Sequence, residues 1–381
     1  MNKRAVLLAS ILLAACATRP PLPSPEPLFH DELFAAPSER ISADDVFAPS
    51  EAMKHFLEVE IAAQLRSKGA REVLVAALYN RNQLKLEYDS LMTRNAAGTF
   101  AARAGNCLSL VIMTAGLAKQ LGLPLRYQAS VAVDDALGRS GEIYYFVGHV
   151  NVTLGKGGFA RRGTDDQLTI DFLPPEDVTG MHMKVVEEET IIAMYMNNRA
   201  AESLTLGQVD DAYWWARAAV REDPRFLSAF NTLGIVYRHH GSPAEAEKVL
   251  RYALERDPGN TRIMSNMIPV LHDLGRFDEA STLARNLEQL EPNPAFAFFE
   301  RGVEAMRVGD YKAARELFSR EVDRAPYYHE FHFWLAQAYA SLGESDKARR
   351  ELALALEYST THREHDLYAA KLERMNSSRL Q

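Results

Sequence analysis

The chain has 381 residues, 47% of them apolar and 25% charged, which suits two or three soluble domains of ordinary composition. Its formal net charge of −8 comes without a basic stripe or a dominant acidic tail. Phosphate neutralisation needs clustered Lys and Arg, so a nucleic-acid partner is disfavoured.

Residues 1–16 stand apart from the rest. Asn2-Lys3-Arg4 is a basic start, Ala5 to Leu13 a short apolar run, and Ala14-Ala15-Cys16 a close of small residues. The run is too short to span a bilayer and has the layout of a secretory signal. Leu13-Ala14-Ala15-Cys16 resembles the lipobox of bacterial lipoproteins. The resemblance implies cleavage before Cys16 and lipidation of its sulfur, with several acyl chains giving a stable anchor. With Ala17 rather than an acidic residue next, it implies the periplasmic face of the outer membrane. An acylated Cys16 leaves Cys107, the other cysteine, without a disulfide partner in an oxidising compartment.

Residues 17–49 carry Pro20, Pro21, Pro23, Pro25 and Pro27 close together and read as an extended tether with little regular structure. A domain over 50–180 follows. Ser50 is a plausible N-cap for a helix carrying Met53, Phe56, Leu57, Ile61 and Leu65 at helical spacing, ended by Gly69. A second helix is expected over Ala70 to Leu84, and a short run over Thr99 to Arg103. From Cys107 to Leu121 apolar positions continue as a helix stopped by Gly122, with Pro124 beyond. Then the period changes to that of strands: Leu125 to Val133, Ile143 to Leu154 and Leu168 to Phe172. Gly155-Lys156-Gly157-Gly158 lacks the Gly-Lys-Ser/Thr ending of a phosphate loop and reads as a turn. Helices before a small antiparallel sheet make this an α+β domain. A connecting helix over 181–192 joins it to the remainder, with Met181, Met183, Met194 and Met196 as gap-filling core.

Beyond it the chain repeats. Gly207, Gly241, Gly275, Gly309 and Gly343 lie 34 apart, as do Ala212, Ala246, Ala280, Ala314 and Ala348, and Pro224, Pro258, Pro292 and Pro326. A helix–turn–helix pattern at this period resembles the tetratricopeptide repeat. That resemblance implies five repeats over 193–362, an all-α solenoid offering surface to a protein partner, then a capping helix and tail over 363–381. Trp214-Trp215 and Tyr327-Tyr328 are either inter-repeat core or the lining of a peptide groove. His239-His240 and the pair His329, His332 read as solvated or packing residues, with no metal implied.

The chemistry-bearing stretch is Arg103-Ala-Gly-Asn-Cys-Leu-Ser-Leu110. It sets a thiol at a helix start, where unpaired N–H groups and the macrodipole favour a thiolate. Such a cysteine is a nucleophile or an inert buried residue. A nucleophile needs a base and a group to orient that base. Downstream, His149 lies in Gly-His-Val-Asn-Val and Asp171 in Ile-Asp-Phe, on neighbouring strand-like runs that allow a hydrogen bond across the pair. Gly-Asn-Cys-Leu-Ser, then Gly-His-Val-Asn-Val, then Ile-Asp-Phe resembles the transglutaminase-like superfamily of papain-like thiol enzymes, over about residues 50–180. The resemblance implies Cys107 as nucleophile, His149 as base and later acid, Asp171 as orienter, and no cofactor. It also implies an oxyanion site at the Cys107 N–H with a second donor, for which Asn106 and Gln83 are the candidates. The expected function is amide hydrolysis or acyl transfer on a protein or peptide substrate, by a membrane-tethered protein whose repeats recruit it. The alternative is a catalytically silent envelope scaffold.

Overall fold

The computed structural model describes residues 23–79, 84, 86–89, 92–130, 137–140, 143–146, 149–155, 167–173, 182–294, 296–359 and 362–377. Cys16, Gln83, Met181 and residues 156–158 lie outside these. Ser50 caps Glu51–His55 (α1) by accepting a hydrogen bond from the Met53 N–H. The helix expected through Leu65 does not run unbroken: Phe56–Glu60 is a π-helix, and Ala62–Ser67 (α2) follows it. The wide turn bonds the Ile61 N–H to the Phe56 carbonyl, five residues back, and both side chains are buried. Ala70–Tyr79 (α3) is helical, and Leu84, expected as the end of this helix, stands in a turn. Ala96–Ala102 (α4) is closed by Arg103 in the left-handed conformation, φ 55°. That turn feeds Ala104–Gly105 (β2), which pairs in parallel with Glu87–Tyr88 (β1). Two-residue strands leave no periodicity in a sequence, and neither was expected.

Cys107–Gln120 (α5) is the central helix, with every residue from Cys107 to Ala118 buried. A helix apolar on all sides is a helix packed on all sides. Leu125–Ser130 (β3), Val150–Leu154 (β6), Leu168–Ile170 (β7) and Met183–Val186 (β8) form an antiparallel sheet in the order β7-β6-β3-β8. Leu137–Ser140 (β4) and Ile143–Phe146 (β5) pair as a separate hairpin. The connecting helix expected over 181–192 is therefore corrected: its first half is the edge strand β8. Lys184 and Val185 are exposed there, so the segment has neither a helical nor a clean strand pattern.

Five helix pairs follow: Glu188–Thr205 with Val209–Glu222, Leu227–His240 with Pro243–Leu254, Thr261–Asp273 with Phe277–Leu290, Ala297–Arg307 with Tyr311–Arg324, and His329–Ser341 with Ser345–Glu357. We call the members of each pair helices A and B. His362–Ser377 packs on the last helix B. The glycine between A and B has positive φ in every repeat, for example 85° at Gly241, a conformation glycine adopts without a steric penalty. The repeating alanines at 212, 246, 280, 314 and 348 are fully buried where the two helices meet. Between repeats three and four the packing thins. Only Ala280 of helix B of repeat three is buried, and the hydrophobic core divides there.

The largest correction concerns the expected tether. Residues 23–49 are not a free spacer; they lie along the first two repeats and the N-terminal domain. Short turns at Glu26–Leu28 and Asp31–Leu33 shape the strap. Phe34 stacks on Tyr213 at 3.9 Å between ring centroids, and Trp214 donates to the Ala35 carbonyl at 2.6 Å. Val46 and Phe47 are buried in the domain core. Proline density keeps the strap extended, and side chains nearly two hundred positions away satisfy its backbone.

Candidate functional site

Gly105 precedes the site because a Cβ there would sit 2.7 Å from the Ser109 Cβ. Asn106 is the N-cap of α5: its Oδ1 accepts from the Ser109 N–H at 2.9 Å and from Ser109 Oγ at 2.8 Å. Its Nδ2 donates to Thr93 Oγ1 at 2.9 Å. The Asn106 side chain thus holds the helix start in place and is turned to Thr93, not to a reacting carbonyl, which corrects its reading as an oxyanion donor. Cys107 is the first residue of the helix and is 3% exposed.

β1 supplies a neighbour that sequence reasoning missed. Tyr88 pairs with Gly105, and its phenol oxygen accepts from the Cys107 backbone N–H. Tyr88 is 40% exposed as a whole, but its phenolic end is turned inward, and burial of that end holds it above the ordinary tyrosine range. No sequence signal marks it, since its position depends on a two-residue strand.

On the sheet, register does the positioning. Val152 pairs with Ile170, so one step along sets Asn151 opposite Asp171, and His149 lies diagonally on the same face. His149 Nε2 meets Asp171 Oδ2 at 2.8 Å, and Asn151 Nδ2 donates to the same oxygen at 3.2 Å. The Leu173 N–H donates to Asp171 Oδ1 at 3.0 Å, and Tyr79 of α3 donates to the Asp171 carbonyl at 2.8 Å. Ser130 clamps the His149 backbone, accepting from its N–H through Oγ at 3.1 Å and donating its own N–H to the carbonyl at 2.8 Å. Asn151 was visible in Gly-His-Val-Asn-Val, where strand alternation puts it on the His149 face.

The other ring nitrogen, Nδ1, is buried without a hydrogen-bond partner, and the ring as a whole interacts with the Cys107 side chain. Burial opposes a charged ring. The Asp171 hydrogen bond and the interaction with Cys107 outweigh it and raise His149 from 6.5 to about 9. Burial likewise opposes ionisation of Asp171, but the His149 contact and the Leu173 and Asn151 donors hold its carboxyl below the usual range. Cys107, His149 and Asp171 thus come together. Gln83 lies outside the described residues.

The site is joined to the first repeat through Thr93. Its hydroxyl also accepts from Asn198 Nδ2 at 3.2 Å, and its N–H donates to Glu202 Oε1 at 2.7 Å, both partners being on helix A of repeat one. In the last repeat, His329 meets Tyr368 at 2.9 Å, while His332 meets Glu351 at 2.7 Å and the Pro326 carbonyl at 2.6 Å. These are packing partners. Among the described residues no cluster of His, Cys, Asp and Glu is placed to hold a metal, and no helix is long and apolar enough to cross a membrane.

Residues 199–261, 268–327 and 299–361 match a tetratricopeptide repeat family, and 237–297 match a second one. The C-terminal region is built of tetratricopeptide repeats. The repeats are similar to a thermophilic tetratricopeptide-repeat protein of Thermus thermophilus, at 20% identity over 47% of this chain and 98% of that one, TM-score 0.30. Yeast Tom70 is similar at 16% over 49% of this chain and 40% of that one, TM-score 0.36. YrrB, described as a tetratricopeptide-repeat protein with an unusual peptide-binding site, is similar at 21% over 47% and 92%, TM-score 0.25. No curated protein matches the chain. The matched repeats begin at residue 199, so the reading of the N-terminal domain stands on its geometry.

Proposed function

We propose that this protein is a protein-interaction scaffold whose tetratricopeptide repeats bind protein partners, with the N-terminal domain docked on the first repeat. The family match across 199–361 carries this reading, because stacked helix pairs of this type chiefly present surface for other proteins. The same proposal attaches the chain through Cys16 to the periplasmic face of the bacterial outer membrane, supported by Leu13-Ala14-Ala15-Cys16. Co-purification tests the scaffold. Gly302→Val drives a side chain into Phe318, 2.6 Å from the new Cβ, and disrupts repeat four. Partners retained by the native chain are expected to be lost with Gly302→Val and kept with Cys107→Ala. The reverse pattern would move the function to the thiol.

A second reading rests on the meeting of Cys107, His149 and Asp171: a transglutaminase-like thiol site for amide hydrolysis or acyl transfer. In this reading Cys107 Sγ attacks an acyl carbonyl, forming a thioester. His149 carries the thiol proton and delivers it to the leaving amine, while Asp171 orients the ring. Water or an amine then accepts the acyl group.

A further inference from the structure

The strap over the first two repeats is held in the manner of a bound peptide. Three hydroxyls, an indole and two carboxylates read its main chain, Asp210 accepting from the Ala35 N–H at 2.9 Å and Asp211 from the Ser38 N–H at 2.7 Å. Tyr252 donates to the Pro23 carbonyl at 2.7 Å and Tyr237 to the Leu28 carbonyl at 2.8 Å. Tyr213 and Tyr237 both accept from the His30 N–H at 3.0 Å, and Trp214 takes the Ala35 carbonyl. Contacts to main chain fix an extended segment without selecting its sequence. Selection comes from side chains: Glu39 accepts from Arg199 at 2.8 Å and Trp215 at 3.1 Å, Ser38 donates to Asp211 at 2.7 Å, and three more lie toward the N-terminus. Arg221 forks onto Glu26 at 2.9 and 2.5 Å, Arg217 donates to Asp31 at 2.9 Å, and Phe34 fills the slot over Tyr213.

We propose that this face of repeats one and two is a recognition site for an extended segment of a partner protein bearing three carboxylates and an aromatic ring at the spacing of Glu26, Asp31, Phe34 and Glu39, and that residues 23–39 occupy it in cis. This rests on the scaffold reading and names its partner chemistry. The strap is suited to exchange. It has no element longer than a turn, and its outer ion pair is weakly held, with Arg221 44% and Glu26 53% exposed. Its covalent link supplies an effective concentration of the order of millimolar, which a partner with the same four groups and further contacts can exceed.

The test uses the full-length chain with Glu26→Gln, Asp31→Asn and Phe34→Ala to release the strap. The probe is a fluorescein-labelled peptide of residues 23–39, read by anisotropy. The released chain is expected to bind the probe at least about tenfold more tightly than the native chain, and Arg217→Ala with Arg221→Ala to abolish the gain. Equal binding by both chains, with hydrogen exchange showing the His30 amide freed, overturns the proposal. So does concentration-dependent dimerisation of the released chain without probe capture, which assigns the face to a second copy. Where the triple variant loses its cooperative fold, Glu26→Gln with Asp31→Asn retains Phe34, and the same ordering of affinities is required. Partners lost with Gly302→Val but unaffected by the probe leave the scaffold reading standing and remove this one.

Discussion

Replacing His149 with alanine is expected to slow alkylation of Cys107 by iodoacetamide at pH 7 by about tenfold, since alkylation needs only the thiolate and an ordinary thiol is already a few per cent ionised there. The sulfur lies at the start of a long helix, and the buried His149 ring, whose Nδ1 lacks a hydrogen-bond partner, interacts with it. A cation there favours the thiolate. The native chain should lose its advantage over the variant as pH rises through about 9, where the His149 proton leaves. Equal rates and parallel profiles would end the thiol reading. Stability should follow the same proton. His149 is raised from 6.5 to about 9, so its charged ring stabilises the fold fully below pH 6.5, and that contribution is lost as pH rises through about 9. The pH-dependent part of the difference between native and His149→Ala is roughly 3 kcal/mol. Asp171 is shifted down, so its contribution is present above 3.8 and is lost as pH falls. Both contributions are therefore complete between about pH 4 and 6.5.

The second large effect lies at the far end. Phe318→Ala is expected to cost about 3–5 kcal/mol, the usual range for emptying a buried phenylalanine site. The ring is fully buried, lies 5.8 Å from Phe299 and 5.9 Å from Trp334 between centroids, and covers Gly302. The loss should stay local. The core around Phe318 runs from Phe296 to Ala338 and is separate from the core that ends at Ala280. In a stack of repeats, stability adds through neighbouring interfaces, and a thin interface confines a lesion. Hydrogen exchange should quicken over helices Ala297–Arg307 to Ser345–Glu357 and stay unchanged over Cys107–Gln120. Uniform acceleration would mean that the chain unfolds as one unit.

What the sequence made legible depended on whether the causes were local. The repeats were readable because each turn needs a residue tolerant of positive φ and each crossing needs a small side chain, at a fixed interval of 34. The contact between His149 and Asp171 was readable because strand alternation and the pairing of neighbouring strands are short-range patterns. The strap was not readable. Proline density looks the same in a free spacer and in a segment held by Tyr213 and Trp214, and those partners lie in another part of the chain. Asn106 was misread because an asparagine before a helix serves equally as a cap or a donor, and only its bond to Thr93 decides between them. β8 was hidden by its exposed edge. Tyr88 was hidden by strands too short to leave a pattern.

Whether the repeats are where this protein meets others can be read in the living cell, with a photo-crosslinking residue placed singly at exposed apolar positions. Phe277, Leu290 and Val308 are 59%, 57% and 65% exposed on the repeats, while Val59 is 60% exposed on the N-terminal domain. A scaffold that works through its repeats should give a defined protein adduct from at least one repeat position and none from Val59. Adducts from Val59 alone, with all three repeat positions silent, would contradict it.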